Sequence, residues 1–503
     1  MISGPGRKSP LPQFLRGILA TGAGSASILV LGMVALMVST RVISAETLGA
    51  FFLAQVLVTF LAEGTSMGIY SALEQSYAGA QTEDTRRGIL SAAMMCRAAT
   101  ALIVVLVLVA LGPSLLPMLD IMPTPWMLVL LVGWFLLDSQ LRLMYSFHQA
   151  SFNFGVIGMA GILSSVLNLI GIILFVLVLQ QDLWGLFYAK ILSNSVALAY
   201  TTLARPLPLS LRLDLTILRR MLKYGWPLYL NYFLSFVTLR ADTLVIGWLL
   251  GTGAVAFYEI ARRIPEGIGQ FFSSFRQVYF PYVARAAARN DYAEVSSLIN
   301  RSLRIGSFFL FSFCLMALGF DREIMKLLFS EQYVASALPF VILMVAHAFL
   351  MIESTLGYAL AAIGDSTKPP IINAVRSALL LIAYLVLIPP YGGAGAATAA
   401  ALAAMAVIPV NVLFLRRRAL TIKPRAYVMP GALAMVVGMM MIAADGWGTW
   451  AEVVVMVLYL PACLISGVIR KEEVRNALAF LEQRLGRRAR EADWEPRPSS
   501  GEN

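Results

Sequence analysis

Long apolar stretches recur along this chain from one end to the other, and they constrain its fold more than any other feature. Most are about 17 to 25 residues long, the length that an α-helix needs to cross the roughly 30 Å hydrocarbon core of a bilayer. Charged residues make up only 13% of the chain, whereas soluble proteins carry about a quarter. No segment between the stretches is large enough to bury a soluble core. The sequence therefore predicts an all-α integral membrane protein.

Fourteen of these stretches are predicted to span the membrane. The first six are Gly17 to Thr40, Leu48 to Ser71, Gly88 to Leu111, Trp126 to Phe147, Val156 to Leu179 and Trp184 to Leu203. The next six are Trp226 to Leu250, Ala254 to Phe280, Leu303 to Phe320, Ala337 to Ala362, Ile371 to Ile388 and Gly395 to Leu415. The last two are Val428 to Ala444 and Ala451 to Val468. The first stretch is longer than the core of a signal peptide and is expected to remain as a helix.

The distribution of basic residues predicts the orientation, because short cytoplasmic loops carry an excess of lysine and arginine. Odd-numbered connections between the spans hold only Arg41, Arg322 and Lys326. The even-numbered connections and the two tails hold the rest of the basic loop residues, among them Arg7, Arg86, Arg219, Arg289, Arg417 and Arg475. Both ends of the chain are therefore predicted to be cytoplasmic. The far-side loops are too short for a catalytic domain, the longest running from Asp321 to Ser336.

This count of spans divides the chain into six regions. They are a tail at 1–16, a six-helix lobe at 17–204, a basic cytoplasmic linker at 205–225, a second six-helix lobe at 226–415, two more helices at 416–469 and a cytoplasmic tail at 470–503. Between Lys471 and Arg488 this tail is predicted to form an amphipathic interfacial helix, followed by a disordered end. The segment Thr47 to Phe52 echoes Gly253 to Tyr258 at the start of the second helix of each lobe. Such an echo is expected of a six-plus-six transporter repeat.

The second lobe carries the sequence patterns of a known transporter family. The run Leu239-Arg-Ala-Asp-Thr-Leu-Val-Ile-Gly-Trp-Leu-Leu-Gly251 is followed by Val255-Ala-Phe-Tyr258 and Pro281. Later come Ala361-Ala-Ile-Gly-Asp-Ser-Thr-Lys368 and Gly392-Gly-Ala-Gly-Ala-Ala397. In combination these runs resemble the polysaccharide-biosynthesis exporters and O-antigen (Wzx-type) flippases of the multidrug/oligosaccharidyl-lipid/polysaccharide (MOP) exporter superfamily. One departure is Ala256, where the family often has glycine.

The resemblance implies two six-helix lobes in a V around a central cavity, with two C-terminal helices outside the lobes. The first, second, seventh and eighth helices would line that cavity. It also implies a flippase that moves a lipid-linked oligosaccharide or polysaccharide precursor, of the undecaprenyl-pyrophosphate type, across a bacterial inner membrane by alternating access. Its partners would be that lipid-linked glycan and membrane lipids, with a glycan polymerase or glycosyltransferases as further candidates.

Polar side chains form stripes on three of the four helices that would line the cavity. A charge inside a bilayer costs about 2.5 to 3.5 kcal/mol on insertion scales, so these side chains are expected to face protein or water. The stripes are Gln55, Thr59, Glu63, Ser66 and Tyr70 in the second span, Asn231, Ser235, Thr238 and Asp242 in the seventh, and Glu259, Arg262, Arg263, Glu266, Gln270, Ser273 and Gln277 in the eighth. Three stripes predict a water-filled path, and the alternative is hydrogen bonding between helices.

Two sets of candidate site residues come from these stripes. The substrate-binding candidates are Arg262, Arg263, Gln270, Asn231 and Gln55. Arginine suits a pyrophosphate because its guanidinium keeps its charge when desolvated and donates paired hydrogen bonds. The ion-coupling candidates are Asp242, Glu63, Glu259 and Glu266. Because a nearby arginine favours the charged carboxylate, the acid expected to be furthest from Arg262, which is Asp242, is the preferred proton carrier. The alternative is a permanent Glu–Arg–Glu network that binds no ligand.

Two further arginines are expected to be structural. Asp138 and Arg142 are four residues apart on one helix and can neutralise each other. Arg240 lies on the opposite helix face from Asp242, so it is expected not to share that lining but to pair within its lobe, with Glu353 as a candidate partner.

Several function classes are disfavoured by the sequence. The chain has no nucleotide-binding loop, nucleophile elbow or metal-spaced histidines, so neither an enzyme nor a cofactor or metal is predicted. Transport energy is then expected to come from an ion gradient or the membrane potential. The net charge of +11 is attributed to topology and not to a nucleic acid partner. Two alternatives remain open: a multidrug or small-solute cation antiporter of the same fold, and a membrane scaffold of a glycan-synthesis complex.

Overall fold

The computed structural model describes residues 11–119, 121, 123–205, 214–365, 367–444, 449–470 and 475. Within these ranges it leaves out the side chains of residues 11–26, 119, 231, 271, 273, 274, 277, 278 and 449–451. The described part of the chain is helical and contains no β-strand, as the sequence predicts. The predicted amphipathic segment of the C-terminal tail lies outside the described residues, apart from Arg475.

Seven α-helices are described before residue 205. They are α1 (Leu11–Val42), α2 (Ala45–Gly64), α3 (Ile69–Gly79), α4 (Glu83–Leu115), α5 (Pro125–Ala150), α6 (Phe154–Ile172) and α7 (Asp182–Leu203). The second predicted span is divided between α2 and α3, because the chain turns at Met67 and Gly68, whose φ angles are 52° and 75°. Helix α5 packs against α2, α3, α4 and α7, and α6 packs against both α1 and α7.

Helix α8 (Leu215–Ala288) contains the seventh and eighth predicted spans. It is broken at Gly251, where φ is 81° and ψ is 179°. Glycine adopts this backbone conformation without the steric cost that a Cβ would bring. The break lies in the predicted connection between the two spans, and it brings their side chains together at the site described below.

The start of α8 differs from the predicted start of the seventh span at Trp226. Asp214 caps the helix, its Oδ1 accepting hydrogen bonds from the backbone N–H groups of Thr216 and Ile217 at 2.8 and 3.2 Å. The added turns are amphipathic, with Met221 buried in an apolar core that also contains residues of α3, α4 and α5. Their basic residues lower the local hydropathy, so the apolar-stretch criterion does not include these turns in the span.

Seven further helices follow α8. They are α9 (Tyr292–Gly319), α10 (Asp321–Leu328), α11 (Ala337–Ala362), α12 (Lys368–Arg417), α13 (Arg425–Ala444), α14 (Thr449–Val457) and α15 (Tyr459–Ile465). Helix α12 contains the eleventh and twelfth predicted spans and is broken between them at Gly392, with φ 56° and ψ −135°. The fourteenth predicted span corresponds to α14 and α15 together.

Each predicted span coincides with a helix, or part of one, in the described ranges. By length and composition alone, nine described helices can cross a membrane, the broken helices α8 and α12 each counted once. Shorter apolar helical segments at Ser27–Val42 and Glu452–Ile465 add to them. The prediction of a multi-pass, all-α membrane protein is confirmed.

The chain divides into two compact units. The first consists of Met1–Ser274, Asp321–His347 and Ser366–Val407, and the second of Phe275–Phe320, Ala348–Asp365 and Ile408–Asn503. The core of the first unit includes Trp134, whose ring stacks on Phe51 at 5.4 Å between centroids. In the second unit α9 packs against α13 and α14, and Phe308 stacks on Tyr459 at 5.6 Å. The division into two six-helix lobes stays a prediction.

Candidate functional site

Six charged side chains of the first unit meet where the two parts of α8 fold back at Gly251. We name them the α8 cluster: Arg240, Asp242, Glu259, Arg262, Arg263 and Glu266. Arg262 lies at the centre, with its Nη1 3.1 Å from Asp242 Oδ1 and 3.2 Å from Glu259 Oε1. Its Nε lies 3.2 Å from Glu266 Oε1. One guanidinium therefore contacts three carboxylates.

Hydroxyl groups complete the hydrogen bonding at the centre of the cluster. The Thr243 hydroxyl donates to Glu259 Oε1 at 2.6 Å, and the Tyr258 hydroxyl donates to Asp242 Oδ2 at 2.6 Å. The backbone N–H of Thr243 donates to Asp242 Oδ1 at 2.8 Å. Arg262 in turn donates to the carbonyl of Leu239. Buried charges need such partners, because an ion left without them loses its hydration energy without compensation.

The cluster has a buried centre and a partly exposed rim. The side chains of Asp242, Glu259 and Arg262 are only 4%, 2% and 7% exposed. The rim consists of Arg240, Arg263 and Glu266, which are 30%, 27% and 29% exposed. Three arginines face three carboxylates, so the formal charges of the cluster cancel.

Contacts at the rim are longer than those at the centre. Arg240 lies 3.4 Å from Glu266 and 3.6 Å from Glu259, and Arg263 lies 3.5 Å from Glu259. The guanidinium of Arg263 also stacks over the ring of Phe52 on α2, 5.1 Å from its centroid. Its Nε has no hydrogen-bond partner in the described part of the chain. The rim arginines can therefore change partners more easily than Arg262 can.

The second predicted span approaches α8 through one glycine on α2 and one in the turn before α3. A Cβ on Gly49 would lie 1.8 Å from the carbonyl oxygen of Thr252, directly after the break in α8. At the other end, a Cβ on Gly68 would lie 2.2 Å from the carbonyl oxygen of Gly225. Beside this second contact, the Tyr229 hydroxyl donates to the carbonyl of Gly64 at 2.7 Å. Backbone therefore meets backbone at two places where no larger residue fits.

The α8 cluster and both glycine contacts lie in the part of the chain that matches a known family. The model of a family described as polysaccharide biosynthesis protein matches residues 38–338. This chain belongs to that family. A relative from Haloferax volcanii, named as the probable low-salt glycan biosynthesis flippase Agl15, is 25% identical over 172 residues. That match covers 34% of this chain and 36% of the relative, so the chain spans about a third of the length of this curated relative.

Solved structures identify the fold of this polysaccharide biosynthesis protein. The lipid II flippase MurJ, in an inward closed conformation, is 16% identical with a TM-score of 0.70, over 89% of this chain and 98% of MurJ. A multidrug resistance MATE family transporter of the MOP superfamily, in an inward-facing conformation, is 16% identical with a TM-score of 0.63. That match covers 78% of this chain and 94% of the transporter. At such identities the likeness establishes the fold alone, and it is the fold that the sequence predicts.

The geometry of this family member corrects two predictions about the cluster. Asp242 is not remote from Arg262 but in contact with it, so the reason for preferring it as a proton carrier is wrong. Arg240 does not lie apart from the cluster either, since it contacts Glu259 and Glu266. Both errors have one cause: the break at Gly251 decides which faces of the two helical parts meet. The predicted contact of Arg262 with both glutamates is confirmed.

Glu63 belongs to a second group of charged side chains, which shares no residue with the α8 cluster. Arg142 bonds to Glu63 and, through Nε, to Asp138 Oδ2 at 2.6 Å, which confirms the predicted Asp138–Arg142 pair. Nearby on α4, Arg97 is fully buried and donates to the Thr65 hydroxyl at 2.9 Å. Arg142 thus ties Glu63 into a group of charged side chains smaller than the α8 cluster.

The other site predictions are not tested by these contacts. Gln55 is half-buried on α2 and Gln270 is exposed on α8, while the side chain of Asn231 lies outside the described residues. Sequence reasoning missed Thr243 and Tyr258, although a hydroxyl next to Asp242 and one a helical turn before Arg262 were visible signals. Within the described ranges, no group of three or more histidine, cysteine, aspartate or glutamate side chains is suited to hold a metal ion.

Proposed function

We propose that this protein is a flippase, and not an enzyme, that moves a lipid-linked oligosaccharide or polysaccharide precursor across a bacterial inner membrane by alternating access. Its family supports this proposal, as does a relative named as a probable glycan biosynthesis flippase. The observation that carries it is the α8 cluster, a charge-balanced set with two partly exposed arginines at its rim. The substrate class is a glycan carried on a polyprenyl pyrophosphate, and glycan polymerases or glycosyltransferases are the candidate partners.

The rim arginines are the proposed first contacts of the pyrophosphate. Arg263 is held by a single 3.5 Å ion pair in the cluster and has an unused Nε donor, so it can turn to a phosphate without leaving a carboxylate bare. Arg262 would then hold Asp242, Glu259 and Glu266 in place, while Gln55, Gln270 and Asn231 contact the glycan. Each arginine–phosphate hydrogen bond is charge-assisted and therefore stronger than a neutral one.

The proposed energy source is an ion gradient or the membrane potential, coupled through the acids of the cluster. Glu266 is the best placed of the four candidates, because its side chain is 29% exposed and an ion can reach it from water. Asp242 and Glu259 are buried beneath hydroxyl donors, and Glu63 is tied to Arg142. An arriving substrate phosphate would compete with Glu266 for Arg240. A carboxylate that loses an arginine partner binds a proton or Na⁺ more readily, which links substrate binding to ion uptake.

Arg263→Gln, which removes the charge of this side chain, is expected to reduce the flipping rate about tenfold or more. This is the effect of losing one charge-assisted contact of roughly 1.5 kcal/mol. Proteoliposomes would carry a fluorescent oligosaccharide on undecaprenyl pyrophosphate, and a membrane-impermeant glycosidase would report its exposure. The control is Arg418→Gln, because Arg418 is 60% exposed and pairs with Asp365 in the other compact unit. Wild-type flipping by an Arg240→Gln/Arg263→Gln double variant would show that the rim does not bind the pyrophosphate.

The same vesicles separate the alternatives to a flippase. Export of an organic cation without glycan exposure would identify a small-solute antiporter, which the likeness to the multidrug transporter makes the second candidate. Activity in neither assay, with glycosyltransferases retained on purification, would identify a scaffold.

Glu266→Gln is expected to make flipping independent of the imposed proton or sodium gradient. The substitution keeps the shape of the side chain but removes its ability to bind and release a cation. Initial flipping rates would be compared with and without a gradient, at equal amounts of reconstituted protein. Glu294→Gln serves as the control, because Glu294 is none of the candidate acids, is 44% exposed and pairs with Arg289 in the other compact unit. An unchanged gradient response in a variant lacking all four acids would contradict coupling through these groups.

The orientation is proposed from the basic loops, with both ends in the cytoplasm. A cysteine at position 446 is then expected to react with an impermeant maleimide added outside intact cells, whereas one at position 210 is not. The three natural cysteines, Cys96, Cys314 and Cys463, would first be replaced so that only the introduced thiol reports. The reverse labelling pattern would show that the chain has the opposite orientation in the membrane.

A further inference from the structure

His347 lies near the middle of α11, in the same compact unit as the α8 cluster. Its ring is half-buried and packs against α8 at Gly269, where an added Cβ would lie 3.5 Å from His347 Cδ2. Glu266 precedes Gly269 by three residues and therefore shares that face of α8. An imidazole in a membrane-spanning helix thus lies beside the rim of the cluster.

One hydrogen bond fixes where this ring carries its hydrogen. Nδ1 lies 2.9 Å from the carbonyl oxygen of Leu343, one turn earlier on α11. A carbonyl oxygen only accepts, so Nδ1 carries a hydrogen, and in the neutral ring Nε2 then carries none. Nε2 has no hydrogen-bond partner among the residues that the structure describes. It is therefore available to bind a proton.

The other histidine of the chain uses its ring differently. His148 on α5 is fully buried, and its Nε2 lies 2.7 Å from the carbonyl oxygen of Thr201 on α7. That bond joins two helices, which is a structural role. His347 bonds only within its own helix. Because an unpartnered polar nitrogen inside a membrane costs free energy, its presence there indicates a function in transport.

Glu266 offers a matching acceptor at the rim. Its ion pairs with Arg240, at 3.4 Å, and with Arg262, at 3.2 Å, both use Oε1. Its Oε2 takes part in neither pair. The charges that act most strongly on the imidazole are those of Glu266, Arg262 and Asp242, all members of the α8 cluster. The histidine is therefore coupled electrostatically to the proposed coupling acid.

Two phenols also face the cluster. Tyr258 of α8 donates to Asp242, and Tyr384 of α12 is buried within electrostatic reach of Asp242 and Arg262. Phenols and guanidinium groups hold their protons far more tightly than imidazole and carboxyl groups do. His347 and Glu266 are thus the groups at the rim that are suited to exchange a proton.

We propose that His347 carries the coupling proton of the transport cycle and passes it to Glu266. The proposal rests on the flippase function proposed above and narrows its coupling ion to a proton. Hard cations such as Na⁺ take oxygen ligands, whereas imidazole gains and loses a proton near neutral pH. A histidine at this position has no use in a sodium-driven cycle.

The transfer is balanced in atoms and charge. The N–H bond at Nε2 of the imidazolium breaks, its electron pair stays on nitrogen, and an O–H bond forms at Oε2 of Glu266. The two side chains form no ion pair, so a water molecule relays the proton at the rim, where Glu266 is 29% exposed. A substrate phosphate that takes Arg240 from Glu266 makes this carboxylate a better proton acceptor. His347 then regains a proton from water on the open side of the membrane.

The test compares two substitutions that remove a titratable ring but keep its hydrogen bond. In His347→Asn the amide replaces Nδ1–H as the donor to Leu343, and in His148→Gln it replaces Nε2–H as the donor to Thr201. Vesicles containing the full chain would receive a pH gradient or a sodium gradient separately, and flipping would be followed with the glycosidase. The wild type and His148→Gln are expected to flip faster under the pH gradient alone, and His347→Asn to lose that stimulation.

A second measurement needs no variant of His347 and does not depend on flipping. The protein with isotope-labelled histidine gives two sets of ring signals by NMR, and His148→Gln removes one of them. The remaining ring is expected to carry its hydrogen on Nδ1 at high pH and to gain a proton at Nε2 as the pH falls. Glu266→Gln should move the midpoint of this titration, whereas Glu294→Gln, in the other compact unit, should not.

Several outcomes would overturn the inference. They are stimulation of wild-type flipping by the sodium gradient alone or by neither gradient, an unchanged response in His347→Asn, and an equal loss in both histidine variants. If the wild type flips no glycan at all, the proposed function fails and the NMR titration alone decides on His347. A ring that stays neutral at every pH at which the protein is folded, or a midpoint that does not respond to Glu266→Gln, would then rule out proton exchange between the two groups.

Discussion

Alanine in place of Arg262 is expected to abolish flipping and to lower the apparent Tm of the purified protein. The guanidinium contacts Asp242, Glu259 and Glu266 at 3.1 to 3.2 Å from a position that is 7% exposed. Without it, Glu259 and Glu266 would keep only the three longer contacts with Arg240 and Arg263, and none of these contacts reaches Asp242. Leaving a buried charge without its partner typically costs about 3 to 5 kcal/mol. Thermal unfolding in detergent would measure the loss of stability, and the glycosidase vesicle assay the loss of transport.

A second substitution separates charge balance from substrate binding. Arg262→Ala/Asp242→Asn has equal numbers of acids and arginines in the α8 cluster, so it is expected to regain part of the lost Tm. Flipping should stay absent, because the remaining acids are no longer positioned by a central guanidinium. Arg262→Lys keeps the charge but loses the planar fork, and intermediate values of both quantities are expected. A double variant no more stable than Arg262→Ala would contradict the charge-balance explanation.

The contacts of the α8 cluster that lie within one helical segment could be predicted from the sequence, whereas the contacts across the break at Gly251 could not. Glu259, Arg262 and Glu266 are three and four residues apart, and an α-helix brings such residues together whatever the rest of the fold does. Asp242 lies on the other side of the break at Gly251, where φ is 81°. Its contact with Arg262 depends on the angle between two helical segments. Periodicity within one helix carries no information about that angle.

The fold shows the same limit. Hydropathy predicted the multi-pass helical architecture, because it reports the composition of about 20 residues at a time. It did not predict that α2 ends at Gly64 and α3 begins at Ile69, since the apolar composition continues through the turn. It also missed the first turns of α8, where apolar Met221 packs into the protein core between basic, solvent-facing neighbours. Hydropathy averaged over many residues detects neither a local turn of the backbone nor burial of only one face of a helix.

The substitutions Gly49→Ala and Gly225→Ala are each expected to prevent close approach of the second predicted span and α8, at opposite ends of that span. An added Cβ would lie 1.8 Å from the carbonyl oxygen of Thr252 in the first case and 2.6 Å from that of Gly68 in the second. The obstructing atoms are backbone, which cannot turn aside as a flexible side chain does. Such overpacking costs about 1 to 3 kcal/mol. A cost of that size on the closed state shifts the equilibrium between closed and open states about 5- to 150-fold towards the open state. Flipping needs both ends to close in turn, so each variant should lose most of its transport.

Sided labelling would distinguish the two variants. A single cysteine at position 55, on the half-buried face of α2 between the two glycine contacts, would report access from each side of the membrane. Gly49 follows an odd-numbered connection, so Gly49→Ala should speed reaction with an impermeant maleimide from the far side, and Gly225→Ala from the cytoplasmic side in inside-out vesicles. Gly133→Ala on α5 is the control, because nothing lies within 4 Å of the Cβ it adds. If Gly49→Ala and Gly225→Ala changed labelling from the same side, the two contacts would be packing features of one state and not the alternating closures of a transport cycle.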